Sequence, residues 1–220
     1  MRVALKLIGA LALVTSASAA TAGIADPAGD FLASYDPALP HDPGVDIIGA
    51  DVVFDGSNFL LSATMNAAVR DDPGTLFVWT VNRGSGTPKP FAPPGTSIPL
   101  DALVIMFPDG LLRVVTFAGP PTDMTGATHL DGNTISGTVP LSLLATMGLA
   151  PSDYAFGLWS RVRVDPTRDG TTAEIADLLT GSGSIRAAVP EPATWMTMLL
   201  GFGFIGGLLR RTRNATAVRA

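Results

Sequence analysis

Apolar positions fall into two regimes along this chain: unbroken runs near each end, and short alternating runs between them. The middle runs are rich in β-branched and aromatic side chains and are separated by Asp, Asn, Gly and Pro, the pattern of strands joined by tight turns. Over 45–54, Val45, Ile47, Gly49 and Asp51 share one parity and Ile48, Ala50 and Val52 the other; Asp55-Gly56-Ser57-Asn58 then turns the chain and 59–65 returns, predicting a hairpin. Further strands are predicted over 75–81, 103–107, 111–117, 134–139 and 154–164, with 182–188 as the last. Pro108-Asp109-Gly110 and Asp131-Gly132-Asn133 supply two of the turns. Helical spacing is scarce. Residues 142–147 fit one or two turns, stopped by Gly148 and Pro151, and a second short helix is expected over 172–179. Such a chain reads as mostly β, a single β-sandwich or jelly-roll-like domain, with a barrel as the alternative closure.

The two ends follow other rules. Arg2 and Lys6 precede an apolar stretch over 7–14 and small residues over 15–20, the order of a secretory signal peptide cleaved after Ala19, or alternatively after Ala22. Near the other end, Val189-Pro190-Glu191-Pro192 blocks regular structure, because proline lacks a donor and restricts its predecessor. Residues 193–209 then run without a charge and end at Arg210, Arg211 and Arg213. That length is at the short end for a membrane crossing, and the arginines would stay cytoplasmic. The expected organisation is a signal peptide over 1–19, a sandwich body over 20–186 and a linker over 187–192. A transmembrane helix over 193–209 and a basic cytoplasmic tail over 210–220 complete it.

Pro190, Glu191 and Pro192, with Trp195, the glycine-rich apolar run and the arginine cluster, resemble the PEP-CTERM sorting signal in its PEPxxWA form. Met196 stands where that form usually has alanine. The resemblance implies an exported protein of a Gram-negative bacterium, held transiently at the inner membrane. An exosortase-type transpeptidase would then process it for the cell surface, outer envelope or extracellular matrix. Exopolysaccharide is the partner that this family suggests.

Charge changes the picture of the body. Six of the 14 bases and one of the 19 acids lie in the two ends, leaving 8 bases and 18 acids, a net charge of −10. Such a surface disfavours nucleic acid and an anionic membrane as partners, and no nucleic-acid partner is expected. The absence of cysteine excludes disulfides, thiolate zinc sites and a cysteine nucleophile.

The candidate chemistry is sparse. Asp26-Pro27-Ala28-Gly29-Asp30, with Asp46 ahead of the next strand, resembles the opening of some secreted carbohydrate-binding-like sandwich domains in which such acids hold a structural calcium. Calcium takes six to eight oxygens, and a glycine-containing turn aims carboxylates at one point; a metal-free Asx turn is the alternative. The acidic turns over 71–74 and 165–170 are expected to be plain turns. His41 and His129 sit in loop-like contexts, without a Gly-x-Ser-x-Gly elbow or a His-Glu-x-x-His run. Of the strand tryptophans, Trp79 is expected in the core, while Trp159 lies on the parity opposite Tyr154, Phe156 and Leu158 and is the candidate ligand-stacking aromatic. The long irregular connection over 83–95 is a candidate binding loop. No catalytic residue is assigned. The expectation is a non-catalytic structural or binding module, glycan being the candidate ligand and calcium the candidate cofactor. The alternatives are a secreted hydrolase acting on polysaccharide and a calcium-stabilised adhesin module.

Overall fold

The computed structural model describes residues 23–88, 99–164, 171–179 and 185–186. The expected signal peptide, the candidate membrane span over 193–209 and the expected basic tail lie outside them. Among the described residues no helix is long and apolar enough to cross a membrane.

Among the described residues fourteen strands form, in chain order: β1 Ile24–Ala25, β2 Ile47–Phe54, β3 Asn58–Met65, β4 Thr75–Asn82, β5 Thr87–Pro88, β6 Pro99–Leu100, β7 Ala102–Met106, β8 Leu111–Val115, β9 Thr122–Thr125, β10 Thr128–Asp131, β11 Thr134–Pro140, β12 Ala155–Val162, β13 Ile175–Leu178 and β14 Ile185–Arg186. One sheet has the order β1-β2-β3-β11-β10; the other has β13-β12-β4-β7-β8-β9, with β14 also on β12. All their pairings are antiparallel, and β5 with β6 makes a separate short ladder. The two sheets share one core. Val52, Phe59, Leu61 and Ile135 from the first meet Phe77, Trp79, Val104, Leu112 and Phe156 from the second, all buried. This is the expected sandwich.

Local chemistry explains the hairpins. Asp55 Oδ1 accepts from the backbone N–H of Ser57 (2.8 Å) and Asn58 (2.7 Å), while Gly56 takes φ +99°, a region glycine enters without penalty. Asp109 caps the β7–β8 turn in the same way, through Leu111 N–H at 3.0 Å.

Three expectations change. In β2 the register slips between Ile47 and Gly49, so Ile47 faces the core and Ala50 and Val52 do too, despite their opposite parity. A bulge adds one residue and resets the alternation. The helix expected over 142–147 is a 3₁₀ turn, Leu141–Leu144, squeezed between Pro140 and a Gly148 at φ +134°. The helix expected over 172–179 is a 3₁₀ turn, Thr171–Glu174, running straight into β13, because the open edge of β12 offers Ile175–Leu178 backbone partners and full burial.

The second sheet is apolar on both faces. Phe77, Trp79 and Val81 of β4 point into the sandwich, while Leu76 and Val78 point outward beside Trp159, Ile175 and Leu178. The 26–46 loop wraps the β13 edge of this sheet: Leu32 N–H donates to Ala176 O (2.9 Å) and Asp36 N–H to Ala173 O (2.9 Å).

Candidate functional site

Wrapping the loop around β13 brings acids together. Asp26 and Asp30 converge with Asp177 of β13, one oxygen from each lying within 4.8 Å of the others. Asp46 holds the loop: its Oδ2 accepts from Gly29 N–H (2.8 Å) and Asn66 Nδ2 (2.9 Å). The next residue, Ile47, donates its N–H to Asp177 Oδ2 at 2.7 Å, and Leu178 N–H reaches Asp177 Oδ1 at 2.7 Å. Asp46 is fully buried, and its Oδ1 has no hydrogen-bond partner among the described residues.

Burial pushes the Asp177 carboxyl up to about 7; the two backbone donors pull it back, and Asp26 and Asp30 raise it again. Calcium–oxygen bonds of about 2.3–2.6 Å keep oxygens on one coordination sphere within roughly 5 Å of each other, a limit this trio meets. Of the acids anticipated from sequence, Asp26 and Asp30 lie in the cluster, while Asp46 positions the turn beside it. Asp177 was not anticipated. Its signal was a lone acid within the apolar run over 175–179.

A second feature lies on the outer face of the same sheet. An open groove of about 370 Å³ is floored by Leu76, Val78, Leu103 and Ile105, with Trp159 and Ile175 alongside. Phe107 and Phe117 stand beside it with three arginines, Arg113, Arg161 and Arg163. Trp159 faces outward as its parity implies, yet is only 5% exposed because Leu32, Ile175 and Leu178 pack on it. Arg113 binds Asp123 through two bonds (2.6 and 2.8 Å), and Arg161 binds the buried Glu174 (3.0 and 2.6 Å). Phe117, 47% exposed, has φ +59°, a left-handed backbone that a bulky residue seldom adopts.

Trp79 is fully buried in the core, as expected. His41 packs edge-on against Phe31 and Tyr35 (centroids 4.9 and 5.2 Å). His129, expected in a loop, sits in β10. In the acidic turn over 71–74, Asp72 pairs with Arg70. The turn over 165–170 and residues 89–98 of the long connection lie outside the described residues. The base of that connection is anchored by the buried Arg83–Asp101 pair (2.7 Å), with Arg83 also donating to Ala145 O at 3.1 Å.

No curated protein matches the chain. The family model for the PEP-CTERM protein-sorting motif matches residues 188–214, the segment that holds Pro190, Glu191, Pro192, Trp195, Arg210, Arg211 and Arg213. The chain carries a PEP-CTERM protein-sorting motif, and with it the mark of an exported protein that an exosortase sorts to the envelope surface of a Gram-negative bacterium.

Proposed function

We propose that the body is a non-catalytic binding or structural module of the cell envelope or exopolysaccharide matrix, its N-terminal loop clasped by calcium at Asp26, Asp30 and Asp177. The observation that carries this reading is the pairing of a sorting motif with a sandwich whose outer face holds an open groove. Calcium suits the acidic cluster because it links the wrapping loop to β13 and offsets repulsion among three carboxylates. A polysaccharide hydrolase needs two carboxyl groups at least about 5 Å apart across a sugar ring. Asp177 is only 1% exposed, which suits a small cation better than a sugar ring. The C-terminal segment would serve as a transient membrane anchor until the exosortase acts.

The test is fractionation of the host. The protein should remain with the exopolysaccharide through salt washes and carry about one calcium per chain by mass spectrometry of the metal. Purified protein that shortens the host polysaccharide would replace this reading with a hydrolase. Recovery free of both matrix and envelope would remove it.

A further inference from the structure

We propose that the groove on the outer face of the second sheet binds a single-chain anionic amphiphile, an acyl chain ending in a carboxylate or phosphate. This rests on the binding-module reading and names the ligand class. The floor is aliphatic: Leu76, Val78, Leu103 and Ile105 present no hydrogen-bonding side chain. A neutral sugar laid there would lose water from its hydroxyls without gaining matched partners, which costs more than the burial returns. An acyl chain meets the floor with methylenes alone, and a volume of about 370 Å³ is in the range of small-molecule sites.

The charged groups at the groove select the head. Three of the body's eight bases gather there, within a body of net charge −10. Asp123 and Glu174 neutralise Arg113 and Arg161. The exposed Arg163 guanidinium, with no carboxylate partner among the described residues, places a positive group beside the groove that can meet an anionic head. Phe117 supports the same occupant. A bulky residue in the left-handed region persists where its surroundings hold it, and such strain clusters at ligand clamps.

The experiment titrates the mature protein, purified from its host without detergent, with decanoate, dodecanoate, dodecyl phosphate and dodecanol below their micelle concentrations. Calorimetry should show saturable binding of the anions, tightening about fourfold per added methylene. A bromine on the chain should quench tryptophan emission, and Trp159→Phe should abolish that quench. Arg163→Glu should weaken the anions tenfold or more at low salt without affecting dodecanol. Phe117→Gly suits the φ of +59°, so it should weaken every chain-bearing probe while the circular dichroism spectrum of the fold is retained. Comparing the two heads assigns carboxylate or phosphate. Preferential binding of a neutral oligosaccharide, a dimer that closes the groove in sedimentation, or no saturable anion binding would each overturn the proposal. If it fails while the protein still fractionates with the matrix, the module reading stands and only the occupant falls.

Discussion

Asp177 should make the stability of the body depend on pH, and calcium bound as proposed would make it depend on divalent cations as well, in a direction the geometry sets. Its carboxyl is raised from 3.8 to about 7, burial being the largest cause and the neighbouring Asp26 and Asp30 adding to it. Between those two values the folded chain holds a proton that the unfolded chain releases. Stability from this group is therefore full below the unfolded value and is lost as pH rises through about 7. At about 1.36 kcal/mol per unit, the ceiling on that loss is roughly 4 kcal/mol. In a domain of this size this corresponds to a fall in Tm on the order of 10 °C. The perturbation is chelation of divalent cations, with denaturant unfolding followed at about pH 5 and about pH 8, on either side of the transition. Without cation the protein should be less stable at the higher pH. Calcium at a hundred times its Kd should return about 2.7 kcal/mol there and much less at the lower pH. Asp177→Asn should flatten both responses. Equal stability at the two pH values in chelator, with no gain from calcium, would refute the reasoning.

Other consequences follow from single contacts. Asp101 accepts from Arg83 Nε, Arg83 N and Ser85 N inside the fold, so Asp101→Ala strands a buried guanidinium and should cost about 3–5 kcal/mol in urea unfolding. Replacing the pair together, with Arg83→Met and Asp101→Leu, should recover most of that loss. Arg161→Met removes the guanidinium that binds the fully buried Glu174 carboxylate and should lower stability, measured the same way. At Gly44 an added Cβ would lie 2.3 Å from Ala68 O and 2.8 Å from Arg70 N, both backbone atoms, so Gly44→Ala should cost about 1–3 kcal/mol.

Much of the fold was legible because its turns are written in aspartate and glycine. Gly56, Gly110 and Gly132 all take positive φ at the turns that the Asp-Gly pairs announced. Where side chains alternate cleanly, as in β3, the strand was plain. β9 and β10 escaped because edge strands largely exposed to solvent, such as Thr122–Thr125, carry no apolar alternation. The bulge after Ile47 escaped because a register shift leaves no mark in residue type, only a parity that changes midway. β13 looked helical because a short apolar run has no period of its own; the open edge of β12 decided its state. The candidate site was half visible. Asp26 and Asp30 are local, but Asp177 reaches them through a pairing to Ile47 across 130 residues. The outer groove had one overlooked sign: residues 75–81 are buried throughout, and a strand apolar on both faces needs cover on both sides.

The sorting motif over residues 188–214 implies processing by an exosortase. The most direct measurement is the intact mass of the protein recovered from its host, with and without the exosortase. Cleavage near Pro190-Glu191-Pro192 only when the enzyme is present is the expected result. An identical mass in both strains, with the C-terminal segment retained, would contradict the assignment.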